Sequence, residues 1–156
     1  MSFTSLGLMP ALLVRLQQLK YLQPTAVQRQ TIATVLDGKD VLAAAQTGTG
    51  KTAAFSLPVL QILLTQGSKV APNCVRALVL VPTRELAEQV HQSIRTYLGE
   101  LPLRTAVAYG GVSINPQMMQ LRRGVDVLVA TPGRLLDLYQ QNAVRFHQMQ
   151  ILVLDE

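Results

Sequence analysis

The stretch Ala45-Gln46-Thr47-Gly48-Thr49-Gly50-Lys51-Thr52 decides the fold, because it joins an apolar run, Val41 to Ala45, to a segment of helical spacing that begins at Thr52. A chain that leaves a strand and enters a helix over so few residues must turn sharply, and Gly48 and Gly50 permit the turn without a Cβ clash. The turn presents backbone N–H groups, and the helix start adds its positive dipole end. Lys51 adds a full charge, and the Thr52 hydroxyl is placed to bind Mg2+. Together these features bind a nucleoside triphosphate. The pattern G-x-x-x-x-G-K-[ST] is met at all but its first position, where Ala45 stands. An ordinary glycine-rich turn is the bland alternative, and the order of strand, loop, Lys-Thr and helix argues against it.

Working outward, four further short aliphatic runs read as strands: Ala77 to Val81, Thr105 to Ala108, Val127 to Ala130 and Ile151 to Leu154. Helical spacing lies between them, over Thr52 to Leu64, Arg84 to Tyr97, Pro116 to Arg122 and Gly133 to Gln140. Two more helices precede the first strand, one following Pro10 and one running from near Thr25 toward Leu36, before a turn at Asp37-Gly38. Strands alternating with helices imply a parallel sheet, since parallel neighbours need long crossovers. The expected fold is therefore a three-layer α/β domain with a central, mainly parallel sheet, whose ligands gather at the carboxyl ends of the strands. Pro58 falls inside a helical segment and predicts a kink there. The polar cluster from Gln66 to Asn73 reads as a surface loop.

Composition agrees. The chain has 156 residues, 49 % hydrophobic and 15 % charged, which suits one globular domain and excludes disorder. Thr52 to Ser68, the longest charge-free stretch weighed as a membrane segment, is too short and too polar to span a bilayer, and the N-terminus lacks a signal-peptide pattern. The expected location is cytoplasmic, with no membrane partner. The net charge of +5 is compatible with nucleic-acid binding without establishing it. Cys74, the single cysteine, reads as a small loop or surface residue, and His91 and His147 as surface residues.

The run Ile151-Leu152-Val153-Leu154-Asp155-Glu156 is an apolar strand ending in two carboxylates. Such a pair alone is usually a solvated loop. Downstream of a phosphate loop it reads as a second Mg2+ contact, Asp155, and a water-positioning group, Glu156.

With these segments in order, the sequence resembles the first RecA-like domain of the DEAD-box RNA helicases over nearly its whole length. The resemblance is carried by Gln46 to Thr52, Pro82-Thr83-Arg84-Glu85-Leu86-Ala87, Gly110-Gly111, Thr131-Pro132-Gly133-Arg134 and Asp155-Glu156. The family accepts alanine where Ala45 stands. The stretch Gly110 to Met119 further resembles the bacterial RhlE subgroup. Tyr21-Leu22-Gln23-Pro24-Thr25-Ala26-Val27-Gln28, within an N-terminal helical region spanning residues 1–38, resembles the family's adenine-reading Q motif. There an aromatic ring stacks on the base and a glutamine reads its edge; Lys20 and Val27 depart from the commonest pattern. A glutamine amide offers one donor side and one acceptor side, matching N6 and N7 of adenine. The same Thr25-x-x-Gln28 spacing fits a helix capping box, so both readings stand at this point. Phe3 resembles the family's isolated upstream aromatic.

The resemblance implies that Tyr21, Gln28 and the loop residues Gln46, Thr47, Gly48, Thr49, Gly50, Lys51 and Thr52 bind ATP. Thr52 and Asp155 would hold Mg2+, and Lys51, Asp155 and Glu156 would serve hydrolysis. It further implies that Pro82, Thr83, Arg84, Gly110, Gly111, Thr131, Pro132, Gly133 and Arg134 contact an RNA strand by its backbone, with little base specificity. Binding of ATP and RNA would close a cleft against a second RecA-like domain that carries arginine fingers, bending one strand and releasing its duplex partner, and hydrolysis would reopen it. Because the sequence stops within the family's Asp-Glu-Ala-Asp motif, the isolated chain is expected to bind adenine nucleotide with negligible turnover. Two other readings share the motifs: a DNA helicase or translocase on the same fold, and a non-catalytic nucleotide-dependent RNA-binding module.

Overall fold

The computed structural model describes residues 1–67 and 69–156. Its elements run in the order η1 (Phe3–Leu6), α1 (Pro10–Gln18), α2 (Ala26–Leu36), α3 (Lys51–Gln66), β1 (Val75–Leu80), α4 (Arg84–Leu98), β2 (Thr105–Ala108), α5 (Asn115–Leu121), β3 (Val125–Ala130), α6 (Pro132–Gln140) and β4 (Ile151–Leu154). This is the α/β class with a parallel sheet that the alternation predicts and the RecA-like fold that the resemblance implies, with helix ends within two residues of expectation. The surface loop expected from Gln66 to Asn73 contains Ser68, which lies outside the described residues.

The chain divides into two compact units. The first comprises Met1–Gln66 and Ser93–Leu101. Here α2 packs against α3, and their buried faces, Val27, Gln28, Thr31 and Ile32 on α2 and Ala53, Leu57, Leu60 and Leu63 on α3, recur at the three- and four-residue spacing that puts side chains on one helix stripe. Helix α1 starts at Pro10, whose fixed φ suits a first helical position, and buries Leu12 and Leu16. Helix α3 runs unbroken through the buried Pro58.

The second unit, Gly67–Gln92 and Pro102–Glu156, holds a wholly parallel sheet in the order β2-β3-β1-β4. Strand β3 is buried at every residue and β1 at all but its last, as expected of strands covered on both faces. One face, carrying Leu78, Ala106, Ala108, Leu128 and Ala130, packs in a single core with Leu121 of α5 and Leu138 of α6. Within this core Arg76 and Asp126, on neighbouring strands, form an ion pair at 3.0 Å with side chains 3 % and 9 % exposed. The second Asp126 oxygen accepts the Arg104 backbone N–H at 2.8 Å.

Gly124, just before β3, has φ +77°. A Cβ there would collide with the Ala71 carbonyl oxygen and stand 2.7 Å from Val70 Cγ1. Gly124→Ala is expected to lower the unfolding free energy by about 2–3 kcal/mol, from left-handed backbone strain plus overpacking. Chemical denaturation checks this, and a loss within experimental error would show that the turn yields freely.

Two expectations need correction. Val41 to Ala45 is not a strand: residues 39–46 have no regular structure, and Val41 and Leu42 are exposed. A strand persists only as part of a hydrogen-bonded ladder, and this run has none among the described residues. Cys74 is not a surface residue. It is fully buried at the entry to β1, bridged in parallel to Arg145, with its Sγ 3.4 Å from Nε2 of the exposed His147. His91 lies half-buried, its Nε2 3.0 Å from the Thr105 hydroxyl.

Candidate functional site

In the first unit, residues 47–50 form the turn that ends in α3. Gly48 and Gly50 both adopt positive φ, +83° and +87°, so the sharp turn requires the two residues whose missing Cβ allows it. The Thr49 N–H donates to the Gln46 carbonyl at 3.3 Å, and the Gly50 carbonyl accepts the first helical bond from Ala54. Gln46, Thr47 and Gly48 are exposed, while Thr49, Gly50, Lys51 and Thr52 are half-buried. A Cβ on Gly48 would meet nothing within 4 Å, whereas one on Gly50 would collide with Gln28 Nε2. The exposed turn, the start of a sixteen-residue helix and the Lys51 ammonium fit an anionic polyphosphate, and the Thr52 hydroxyl is an oxygen donor of the kind Mg2+ prefers.

Gln28 is buried, 3 % exposed, and does two things at once. Its Oε1 accepts the Thr25 N–H at 2.9 Å while Thr25 Oγ1 accepts the Gln28 N–H at 3.4 Å, which is the reciprocal capping box. Its Nε2 donates to the Gly50 carbonyl at 3.2 Å. One amide therefore ties the start of α2 to the turn ahead of α3. Tyr21 is 38 % exposed and meets the buried Tyr97 edge-on, with centroids 5.9 Å apart and hydroxyl oxygens at 3.3 Å. Burial first, then the hydrogen bond to Tyr21, pushes the Tyr97 phenol well above its ordinary pKa. Phe3 is buried within η1.

In the second unit, the parallel register aligns the carboxyl ends of the four strands, since Leu80 pairs with both Ala130 and Leu154, and Ala108 pairs with Ala130. The residues that follow are Val81-Pro82-Thr83-Arg84, Tyr109-Gly110-Gly111, Thr131-Pro132-Gly133-Arg134 and Asp155-Glu156, so all four segments leave the sheet at the same edge. Pro82, Thr83, Arg84, Gly110, Gly111, Pro132, Gly133 and Glu156 are exposed; Thr131, Arg134 and Asp155 are half-buried.

Local chemistry fixes each segment. Thr83 precedes α4, and its hydroxyl accepts the Leu86 N–H at 3.2 Å. Pro132 occupies the first turn of α6 behind an extended Thr131, whose N–H donates to the Ala108 carbonyl at 3.0 Å. Asp155 donates its N–H to the Leu80 carbonyl at 3.0 Å, and Glu156 has φ +69°. The Arg84 guanidinium lies 5.0 Å from the centroid of the Tyr109 ring, and the Tyr109 hydroxyl donates to Glu88. That hydrogen bond, with burial second, raises the Tyr109 phenol above its usual pKa. Arg134 turns inward rather than toward solvent, donating to Gln117 Oε1 and to the Val112 carbonyl, both at 2.9 Å. Tyr109, Glu88 and Gln117 were not singled out from the sequence. The one available signal was the i,i+4 spacing of Arg84 and Glu88, which places both on one helix face.

Thr52 belongs to the first unit and Asp155 to the second, and among the described residues no cluster of three or more His, Cys, Asp or Glu side chains could hold a metal. No helix among them is long and apolar enough to cross a membrane.

Comparison with known proteins bears on these segments directly. A family model described as DEAD/DEAH box helicase matches residues 25–156. The chain is 41 % identical over 165 residues to a probable ATP-dependent RNA helicase ddx3 of Dictyostelium discoideum, covering 99 % of this chain and 23 % of that protein. It is 42 % identical to the DEAD-box ATP-dependent RNA helicase 52A of Oryza sativa subsp. japonica, covering 99 % of this chain and 27 % of that protein. It is 44 % identical to the ATP-dependent RNA helicase RhlB of Xanthomonas axonopodis pv. citri (strain 306), covering 99 % and 28 %. The chain thus spans about a quarter of the length of these relatives. On the match over residues 25–156 and these identities, the chain belongs to the DEAD/DEAH box helicase family.

Proposed function

We propose that this chain is the ATP- and RNA-binding part of an ATP-dependent RNA helicase, working with a second RecA-like domain of the same protein in the cytoplasm. The observation that supports this best is the alignment of four strand ends, which brings Thr83-Arg84, Gly110-Gly111, Thr131 to Arg134 and Asp155-Glu156 to one edge of a parallel sheet. On this reading Gln46 to Thr52 cradle the phosphates of ATP, with Tyr21 and Gln28 at the adenine. Gln28 retains what this requires: Oε1 has a second lone pair and Nε2 a second hydrogen beyond the bonds to Thr25 and Gly50.

Lys51 would stabilise charge on the β and γ phosphates, and Glu156 would orient the attacking water. Thr52 and Asp155 would hold Mg2+, which neutralises phosphate charge when bound. Thr83, Arg84 and Thr131, with the main chain at Pro82, Gly110, Gly111, Pro132, Gly133 and Arg134, would hold one RNA strand by its backbone. The partner strand would then be released as the strand bends. Such contacts position the strand without reading its bases.

Gln28→Ala in the full-length protein should weaken ATP binding by about tenfold, the cost of one or two hydrogen bonds, and erode the preference for ATP over GTP. Titration with fluorescent analogues of both nucleotides measures this. An unchanged ATP-to-GTP ratio would restrict Gln28 to the cap and the Gly50 contact.

A further inference from the structure

The residues expected to meet an RNA backbone do not all face solvent. Arg134, whose side chain is 10 % exposed, directs one nitrogen to Gln117 Oε1 and another to the Val112 carbonyl, both at 2.9 Å, with Nε 3.7 Å from Asp137. Gln117, 8 % exposed, donates its Nε2 to the Tyr109 carbonyl at 3.1 Å. The Gly110-Gly111 turn, with Gly111 at φ +82°, therefore lies between two anchored carbonyls, Tyr109 and Val112. Both anchors lead to the first turn of α6, where Thr131 and Gly133 stand.

We infer that Gln117 and Arg134 are positioning residues, a clamp that sets the spacing between the Gly110-Gly111 turn and the Thr131 to Arg134 turn to match successive phosphates of one RNA strand. The inference rests on the reading of these two turns as RNA-contacting. The chemistry explains the residue types. An amide offers a donor to Tyr109 and an acceptor to Arg134 from one planar group, and a guanidinium forks to two acceptors in fixed geometry. Two glycines supply no side chain that could hold their own turn, so its shape depends on what anchors its ends. A strand bound in one conformation presents its successive phosphates at a set spacing, so donor sets displaced from it lose their joint fit. Arg134 then acts through the Val112 carbonyl, while Arg84, exposed at the same edge, remains the direct cation.

The test uses the full-length protein, a short labelled oligouridine and fluorescence anisotropy at several salt concentrations, with ATP-analogue affinity measured alongside. Gln117→Ala and Arg134→Ala should each weaken oligouridine binding by about tenfold, and the double variant should be no weaker than either, as expected for residues in one network. Neither should change ATP affinity or the salt dependence, because neither removes a phosphate contact. Arg84→Ala should reduce the slope of log K against log salt by about 0.7, the share of one phosphate contact on a single strand.

Additive losses, or an Arg134→Ala slope reduced as in Arg84→Ala, would make Arg134 a direct contact and overturn the clamp. If Arg84→Ala also left affinity and slope unchanged, the RNA reading of this edge would itself fall. Should Gln117→Ala not fold, Gln117→Glu keeps the acceptor for Arg134 and removes the donor to Tyr109. It should bind oligouridine more weakly than wild type, and binding at the wild-type level would overturn the proposal.

Discussion

Asp126→Ala is expected to lower the unfolding free energy of the chain by about 4 kcal/mol. The substitution leaves the Arg76 guanidinium 3 % exposed in a parallel sheet without its 3.0 Å carboxylate, and removes the acceptor of the Arg104 N–H at 2.8 Å. Breaking a buried pair from one side costs far more than the pair contributes, because the remaining charge stays desolvated. Domains of this size are commonly stable by only about 5–15 kcal/mol, so the variant should unfold at markedly lower urea. Replacing both partners, as Arg76→Met with Asp126→Leu, should recover most of the loss, since no charge is then stranded. Urea denaturation of the three variants measures each step. A loss below about 1 kcal/mol for Asp126→Ala would mean that water reaches the pair and screens it as at a surface.

The second large effect falls on chemistry. Lys51→Ala in the full-length protein should reduce the ATP hydrolysis rate by at least about 100-fold, the range seen when one preorganised charge-stabilising donor is removed from an active site. The side chain stands at the first residue of α3, directly after Gly50, where the turn and the helix start concentrate N–H donors. Folding should be little affected, because Lys51 is only half-buried. A steady-state phosphate-release assay at saturating RNA reads the rate, and a thermal melt confirms the fold. Hydrolysis within a few-fold of wild type would remove Lys51 from the catalytic assignment.

Much of the framework was legible because the physics that builds it is local. Continuous aliphatic runs became β1 and β3, and helices α3 and α4 follow apolar spacing begun by Lys-Thr and Thr83-Arg84. The capping box could be read from Thr25 and Gln28 alone, since it needs only a three-residue spacing. What escaped depends on neighbours distant in sequence. Val41 to Ala45 has a strand's composition but no ladder among the described residues, and composition cannot supply one. Cys74 looked like a loop residue because the bridge to Arg145 lies 71 positions away. Arg76 and Asp126 each interrupt an apolar run, and two lone opposite charges within strand-like segments were a usable sign of pairing that went unread. Tyr109 and Gln117 gave no such sign, since their importance lies in carbonyls and side chains brought together by the sheet edge.

The ion pair also bears on how the sheet assembles. Val75 pairs with Val125 and Ala77 with Val127, so Arg76 faces Asp126 only in this alignment. Apart from this pair, the residues of β1 and β3 are all small or aliphatic, so they distinguish less sharply between one alignment and the next. A slip of one residue would set both charges against valine or alanine, at several kilocalories per mole for each separated ion. The pair thereby favours the native β1–β3 alignment over a one-residue slip.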